Sequence, residues 1–248
     1  MSRSVEQPSS RGEEKVWRDS RPRGQHEAVF KELHLIPPGE SYDGPMQMAL
    51  DEVLLGSVNV PTLRIYRWMG PCVTFGYFQK IAEVRTTFPD LPLVRRWTGG
   101  GMVEHGGDLT FSLMIPRGDS ATLMSPAIFY RELHGRIARW LSDVLSPEIR
   151  LAREGDLRAG GACFMAPVSD DLLLEGRKIL GGAQRRSAGA LLYQGSIQGV
   201  DCMSWDPHGV ARVLCSQYRA TSLPGELSEK ALRLAGERYG SVAWNEKR

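Results

Sequence analysis

The sequence predicts an α+β domain in which mainly antiparallel sheets are flanked by helices. Segments with the two-residue alternation of β-strands come in groups, and segments with helical spacing stand between the groups. A doubly wound fold would instead show strict alternation of strand and helix. The chain has 248 residues, of which 42% are hydrophobic and 24% are charged. This length and balance suit a globular domain with a sizeable core.

The N-terminal segment differs in composition from the rest of the chain. Residues 1–25 mix Ser, Pro, Arg and Glu with very few apolar side chains, so we interpret them as a disordered tail. We expect residues 26–248 to form a single domain, because the last predicted helix leaves only about ten residues behind it. No stretch approaches the ~18 consecutive apolar residues of a membrane span. The first 25 residues also lack the apolar region of a secretory signal.

Charge and cysteine content narrow the class of protein. The net charge is only +2, from 31 basic and 29 acidic residues, which creates no strong field for nucleic acid. The four cysteines are Cys72, Cys163, Cys202 and Cys215. They lack CxxC spacing, which argues against a zinc site and a disulfide framework and fits a reducing cytoplasm. In that compartment any of them is available as a catalytic thiol.

The first half of the domain predicts one helix and five strands. Pro45 suits the first turn of a helix over residues 46–56, whose apolar side chains form a broad face. Residues 62–68 and 72–77 have the pattern of strands, with a Met-Gly-Pro turn between them. Three more predicted strands, the first two separated by a glycine run, cover residues 93–97, 102–105 and 109–115.

The second half begins with a long predicted helix. Ser125-Pro126 is a helix start signal, and apolar residues recur at spacings of three and four from Ile128 to Val144. Short strands are predicted near 149–152, 170–174, 177–183 and 189–197, and helices at about 206–217 and 225–238.

The strongest local motif is RRWTGGGMVEHGGDLTFS, residues 95–112. Three consecutive glycines between two predicted strands let the backbone approach a ligand and present its N–H groups. Polar residues flank them, namely Arg95, Arg96, His105 and Asp108. Arginine suits a carboxylate or phosphate, and His and Asp supply acid, base or hydrogen-bonding groups. Although a glycine triplet can simply form a turn, the clustering favours a site, and the block matches neither the P-loop nor the dinucleotide fingerprint.

A second motif covers residues 162–197. Lys178 precedes Gly181-Gly182, where a long cationic side chain can reach a site lined by bare backbone. Cys163 lies 15 residues upstream of Lys178, and a thiol and an amine that converge in the fold form a nucleophile with an acid or base. Taken alone, such a cysteine is more often a small buried hydrophobe and such a lysine a surface residue.

Together these blocks resemble the lipoate–protein ligase and octanoyltransferase family within the biotin/lipoate ligase superfamily. The resemblance runs from about residue 45 to 225, with several motifs in the same order. They are MALDEVLL (48–55), PTLRIYRWMGPCVTFGYFQ (61–79), the RR-x-T-GGG-x-V-x-H block, the G-R-K-I-x-G-x-A-Q block and QGSI (194–197). The resemblance implies the catalytic-domain fold of this superfamily, without a C-terminal accessory domain.

The resemblance implies attachment of an octanoyl or lipoyl chain to one lysine of a lipoyl domain. Such acceptors belong to 2-oxoacid dehydrogenase complexes or to the glycine-cleavage H protein. Transferases of the family take octanoate from acyl carrier protein, or from another lipoyl-type domain, through a cysteine thioester and need no cofactor. Ligases use ATP and magnesium to activate free lipoate as an acyl-adenylate. Neither reaction implies nucleic acid or a membrane as partner.

Three details favour the ligase-like cysteine octanoyltransferases. Cys163 precedes Phe and Pro as in their A-C-F-x-x-P nucleophile segment, and HGGDLTFS (105–112) is similar to their H-x-x-E-L-T-Y-S. GGAQRR and LLYQGSI are similar to their G-S-A-Q and Q-H-G-S-I blocks. Ligases instead tend to show Arg-Asn-Asp near the position of the Cys163 segment and H-D-x-G-N at the position of HGGDLTFS. The departures are Asp108 for Glu, Gly106 for Asp, Gly182 for Ser, and Tyr193-Gln194 for Gln-His. They leave the acyl donor and the preferred chain open.

By this resemblance Cys163 is the nucleophile, and Lys178 acts beside it as proton shuttle or carbonyl-polarising group. The implied substrate-binding residues are Arg96, Gly99, Gly100, Gly101, His105, Asp108, Gly181, Gly182 and Ala183, and no residue is assigned to a metal. The glycines would also offer oxyanion-hole N–H groups. Apolar side chains around Trp97 and Phe111 either line an acyl tunnel or form plain core.

Other classes fit the sequence less well. In the ligase alternative Arg96 and the glycine loop hold nucleotide phosphates and the acyl carboxylate, Lys178 contacts both, and Cys163 is idle. A non-catalytic scaffold that binds lipoyl domains would have lost Cys163 or Lys178, and both are present. A biotin ligase is disfavoured because the block around Lys178 is closer to the lipoate type.

Overall fold

The computed structural model describes residues 16–18, 28–157, 166–201 and 206–247. In chain order the strands are β1 (Val16–Arg18), β2 (Leu33–Ile36), β3 (Thr62–Tyr66), β4 (Cys72–Phe75), β5 (Leu93–Arg95), β6 (Val103–His105), β7 (Leu109–Ile115), β8 (Arg150–Leu151), β9 (Leu172–Leu174), β10 (Arg177–Ser187), β11 (Ala190–Ile197) and β12 (Gln217–Ala220). The helices are α1 (Gly44–Leu55), α2 (Ile81–Thr87), α3 (Pro126–Val144), α4 (His208–Leu214), α5 (Gly225–Leu234) and α6 (Val242–Asn245). Helix α5 continues into a π-helical turn at Ala235–Tyr239.

The described strands form two sheets. The large sheet has the order β1-β12-β2-β3-β7-β11-β10-β9-β8, and the small sheet has the order β5-β4-β6. Neighbouring strands pair antiparallel except β12 with β2, β2 with β3, and β4 with β5. The predicted α+β class with mainly antiparallel sheets is therefore confirmed.

Helices α1 and α3 begin where local chemistry allows. The Asp43 carboxylate accepts a hydrogen bond from the Met46 N–H at 3.0 Å, and Pro45 occupies the first turn of α1. The Ser125 hydroxyl caps α3 by accepting from the Ile128 N–H at 3.3 Å. Of the apolar residues that predicted α3, Ile128 and Val144 are exposed, so the buried face is narrower than the periodicity indicated.

The main core lies between the large sheet and helices α3 and α4. Its members include Leu63, Phe111, Phe129, Ile137 and Leu214, all at most 1% exposed. A second cluster packs α1 against α5, the π-helical turn and the small sheet. Helix α1 thus lies beside both sheets, which fixes how they face each other.

The structure differs from the sequence expectations in several places. Residues 16–18, inside the expected tail, form strand β1 next to β12, so the tail prediction is wrong for these three residues, and the rest of 1–25 lies outside the described residues. The Met-Gly-Pro turn joins strands of different sheets, since β3 belongs to the large sheet and β4 to the small one. Strands β2 and β12 and helices α2 and α6 were not predicted. Within the described part of the chain, no helix is both long and apolar enough to cross a membrane.

Candidate active site

A cavity of about 130 Å³ opens between the two sheets. Strands β7, β10 and β11 of the large sheet form one wall, while β4, β6 and the glycine loop after β5 form the other. The cavity is lined by Met48, Tyr66, Trp68, Thr74, Arg96, Gly100, Gly101, Met102, Val103, His105, Thr110, Ala166, Val168, Lys178, Gly181, Gly182, Ala183, Gln194, Gly195 and Ser196. Both sequence motifs therefore meet in one site.

Arg96 holds the glycine loop in shape. Its guanidinium donates to the carbonyl oxygens of Gly99 and Gly101 at 2.9 and 2.8 Å, and to the Thr74 hydroxyl at 2.9 Å. Gly100 has a φ of +85°, a conformation that favours glycine. Burial lowers the pKa of Arg96 to about 10, so its side chain is cationic at neutral pH. Arg96 thus supplies both the loop geometry and a positive charge at the cavity wall.

His105 lies at the centre of a buried hydrogen-bond chain. Its Nδ1 is 2.7 Å from Asp108 Oδ2 and its Nε2 is 2.8 Å from the Thr74 hydroxyl, while the Trp68 ring stacks on it at 4.0 Å. Burial lowers the pKa of His105 despite Asp108, so the ring is neutral. Nδ1–H then donates to Asp108, and the Thr74 hydroxyl donates to Nε2. Because both ring nitrogens are occupied, His105 is arranged to hold the wall rather than to exchange protons.

Asp108 is the anchor of this chain. Its carboxylate accepts from the Gly106 N–H and from the hydroxyls of Thr110 and Ser196, in addition to His105. Burial raises the pKa of Asp108, but these hydrogen bonds outweigh burial and the pKa lies below its ordinary value. The carboxylate is therefore an anion that orients side chains from three strands.

Lys178 forms a second buried cluster on the opposite wall. Its Nζ is 2.8 Å from Asp171 Oδ2, and the two side chains are 9% and 0% exposed. The other carboxylate oxygen accepts from the Tyr130 hydroxyl at 2.6 Å, and that hydroxyl accepts from the Gly182 N–H at 3.0 Å. Because the Gly182 N–H already has this partner, it is not a free oxyanion-hole donor in this structure.

A third polar group supports the cavity wall from behind. Gln194 donates to the fully buried Asp51 at 2.7 Å and accepts from the Thr98 hydroxyl at 2.7 Å. Asp51 also pairs with Arg64 at 2.8 Å and accepts from the Ser112 hydroxyl at 2.5 Å. These contacts fix the orientation of the Gln194 amide.

The structure places most of the sequence-predicted site residues around one cavity. Arg96, Gly100, Gly101, His105, Lys178, Gly181, Gly182 and Ala183 line it. Gly99 and Asp108 contribute from the layer behind, and Cys163 lies outside the described residues. Arg95 points away from the site and donates to four backbone carbonyls.

Some expectations about neighbouring residues are settled by burial. Phe111 is fully buried in the main core, and Trp97 is half-buried under the Arg185 guanidinium at the edge of a smaller apolar cluster. Neither side chain is among those that line the cavity.

Sequence reasoning missed several residues of the site. Thr74, Tyr66 and Trp68 face the cavity from segments with an ordinary strand pattern. Asp171 follows another acid before an apolar strand, and this pattern does not show which of the two carboxylates is buried against Lys178. Within the described residues no group of three or more His, Cys, Asp or Glu side chains is placed to bind a metal ion.

Comparisons with known proteins agree with this geometry. The model of the lipoyl protein ligase A/B catalytic domain matches residues 43–204. The chain is 30% identical over 217 residues to octanoyltransferase LipM of Clostridioides difficile, covering 82% of this chain and 75% of that protein. It is 37% identical over 166 residues to octanoyltransferase LipM of Oceanobacillus iheyensis, covering 62% of this chain and 60% of that protein.

The fold itself is shared with solved structures. A lipoate-protein ligase A bound with ATP superposes with a TM-score of 0.63 at 22% identity, over 88% of this chain and 98% of that one. At this identity the likeness concerns the fold alone. The family match covers more than half of the chain and includes the glycine loop, Lys178 and the cavity wall. The chain therefore belongs to the lipoyl protein ligase A/B catalytic domain family.

Proposed function

We propose that this protein is an acyltransferase of protein lipoylation, which moves an octanoyl group from acyl carrier protein to one lysine of a lipoyl domain. The observation that carries the proposal is the buried Lys178–Asp171 pair at the wall of a largely apolar cavity. Similarity to proteins named octanoyltransferase over 82% of the chain supports the same reaction. The acceptor belongs to a 2-oxoacid dehydrogenase complex or is the glycine-cleavage H protein.

One part of the cavity is suited to an acyl chain, and another part holds the groups suited to the reaction. Apolar side chains of Met48, Trp68, Met102 and Val103 are available to an octanoyl tail. Lys178 and the bare backbone of Gly181 lie at a different wall. Ala166, three residues after Cys163 in the sequence, also lines the cavity, which supports Cys163 as the nucleophile.

The reaction proceeds in two balanced steps. The Cys163 thiol loses its proton, and the thiolate attacks the carbonyl carbon of the octanoyl thioester. A new sulfur–carbon bond forms, the bond between the acyl carbon and the carrier's sulfur breaks, and the departing sulfur takes up a proton to leave as a thiol. The lysine amine of the acceptor then attacks the enzyme thioester. A nitrogen–carbon bond forms, the Cys163–acyl bond breaks, and the amine's proton passes to the departing sulfur. Exchange of a thioester for an amide drives the second step without ATP.

Lys178 acts through its charge. A cation near a thiol favours the thiolate, which is the reactive nucleophile. The same ammonium stabilises negative charge that develops on the carbonyl oxygen during both attacks. Arg96 and the glycine loop hold the opposite wall in place while the acyl chain is bound.

Intact-mass spectrometry tests the proposal. The protein is mixed with an apo lipoyl domain and octanoyl-acyl carrier protein without ATP, and a parallel sample contains free octanoate or lipoate with ATP and magnesium. We expect octanoylation in the first sample only, with an acyl adduct on Cys163. Cys163→Ala should abolish transfer, while the control Cys215→Ala, at a buried free cysteine in the described part of the chain, should retain it. Modification in the second sample only, or full activity of Cys163→Ala, would overturn the covalent route.

A further inference from the structure

The carboxylate of Asp171 is shared among three donors from different parts of the chain. Its Oδ2 lies 2.8 Å from Lys178 Nζ and accepts from the Val168 N–H at 2.7 Å. Its Oδ1 accepts from the Tyr130 hydroxyl at 2.6 Å. Asp171 is fully buried. A buried carboxylate with three donors is held in one position, and whatever it binds is held with it.

The backbone leaves the Lys178 side chain little freedom. A Cβ atom at Gly181 would overlap with Lys178 Cε and Nζ, so the ammonium crosses strand β10 directly over this glycine. Helix α3 closes the other side through Tyr130 and the neutral His134. Burial lowers the pKa of His134 to about 3, with the Lys178 charge adding to the shift. The titratable groups around Lys178 include Asp171, Tyr130, His134 and Tyr193.

We propose that Asp171 is a positioning residue that holds the Lys178 ammonium over Gly181, facing the cavity. The proposal rests on the proposed function, because Lys178 is taken to act on the thiolate and on the acyl carbonyl. The ion pair at 2.8 Å restricts the direction in which the Lys178 amine points. Asp171 also accepts from the Val168 N–H, so the same carboxylate holds Lys178 and the segment that leads into β9.

Two substitutions at position 171 separate the effect of the charge from the effect of the side-chain shape. Asp171→Asn keeps the shape and removes the charge, whereas Asp171→Glu keeps the charge and adds a methylene group. A purely structural buried residue tolerates the isosteric Asn better. A positioning carboxylate tolerates Glu better. The matched control is Asp170→Asn, because Asp170 is adjacent and pairs with the exposed Arg131 at 3.0 Å.

The first measurement is ATP-independent transfer from octanoyl-acyl carrier protein to a lipoyl domain. We expect Asp171→Asn to lower kcat by about 100-fold with KM for the acceptor nearly unchanged, because a misplaced catalytic group costs about this much. Asp171→Glu should retain more activity than Asp171→Asn, and Asp170→Asn should match the wild type. In a Lys178→Ala background, Asp171→Asn should have little further effect. Equal losses in both backgrounds, or the reverse order of Glu and Asn, would overturn the proposal.

The second measurement does not depend on transfer. The folded protein is labelled briefly with acetic anhydride, and the acetylated fraction of Lys178 is read by peptide mass spectrometry. Loss of Asp171 removes the carboxylate that engages the Lys178 amine at 2.8 Å, so we expect faster acetylation of Lys178 in Asp171→Asn and no change in Asp170→Asn or Asp171→Glu. Unchanged labelling of Lys178 would overturn the proposal. A wild type that is inactive without ATP, combined with the expected labelling, would instead overturn the proposed function and leave Asp171 as the residue that holds Lys178.

Discussion

The hydroxyl of Tyr193 occupies the space that a side chain on Gly182 would need. The ring of Tyr193 stacks on Phe111, and its hydroxyl donates to His134 Nε2 at 2.5 Å, so it cannot easily move away. Both positions depart from the transferase pattern, which has Ser at 182 and Gln at 193. Tyr193 therefore fills the volume that a side chain at position 182 would need, and this contact couples the two positions.

Gly182→Ala should therefore destabilise the protein through overlap with Tyr193. Overpacking of a core costs about 1–3 kcal/mol, and we expect the free energy of unfolding to fall by this amount. Tyr193→Leu removes the overlapping atoms at its own cost, and the double variant should be more stable than the sum of the two losses by about 1 kcal/mol or more. Urea denaturation of the four proteins measures this coupling.

The control for this cycle is Gly135→Ala. Gly135 lies inside α3 and nothing is within 4 Å of a Cβ placed there. Alanine is the better helix former, so this variant should gain up to about 1 kcal/mol. Additive losses at 182 and 193 would contradict the coupling.

Thr74 links the two sides of the glycine loop, because its hydroxyl accepts from Arg96, which precedes the loop, and donates to His105, which follows it. Thr74→Val keeps the shape and leaves a buried guanidinium N–H and a ring nitrogen without this partner. Such a loss costs about 1–3 kcal/mol. We expect lower stability and a higher KM for the acyl donor, measured by urea denaturation and by transfer kinetics. Thr86→Val, on the exposed face of α2, should change neither, and an unaltered KM in Thr74→Val would contradict a role for the loop in donor binding.

Acid sensitivity should depend on buried neutral histidines. The pKa of His134 is lowered to about 3 by burial, and that of His105 is also lowered by burial. The unfolded chain binds protons at these positions below about pH 6.5 while the folded protein does not, so stability is full above pH 6.5 and falls as the pH drops below it. Between pH 7.0 and 5.5 His134 should lower the free energy of unfolding by about 1.3 kcal/mol, and His105 should add to this loss in the same direction.

His134→Gln should remove its share of this loss. Urea denaturation at the two pH values gives the difference for the wild type and the variant. The control His34→Gln, at a partly exposed residue of β2, should keep the wild-type pH dependence. A variant at position 134 with the full wild-type loss between pH 7.0 and 5.5 would show that His134 is not the source.

Local signals predicted the helices and central strands well, and tertiary contacts account for what they missed. The Ser125-Pro126 start and the apolar spacing after it gave the correct bounds of α3. Strands β2 and β12 are four residues each and pair in parallel through distant segments, so no turn or alternation marks them. The two motifs indicated a shared site, but the partner of Lys178 depends on β9 and β10 packing under α3, which brings Asp171 and Tyr130 together.

The adjacent arginines before the glycine loop also show what local sequence cannot predict. The sequence motif does not distinguish Arg95 from Arg96, whereas the structure places them on opposite sides of the strand end. Strand alternation sends Arg96 into the cavity wall and Arg95 to the opposite side. There Arg95 donates to the carbonyls of Tyr77, Gln79, Trp244 and Asn245 at 2.7–3.1 Å. This guanidinium is fully buried and joins the end of β5 to the C-terminal helix α6.

Arg95→Met should therefore lower the stability of the protein without weakening the binding of the acyl donor. Four partly buried carbonyls lose a charged donor, and hydrogen bonds to charged groups contribute about 1.5–3 kcal/mol each before compensation by water. We expect a fall of several kcal/mol in the free energy of unfolding and early proteolytic cleavage near α6. Folded protein should keep the wild-type KM for the acyl donor, since Arg95 does not face the cavity. Arg96→Met is the comparison, and it should raise that KM because the carbonyls of Gly99 and Gly101 lose their donor. Equal effects of the two substitutions on KM would contradict the conclusion that Arg95 serves stability and Arg96 serves the glycine loop.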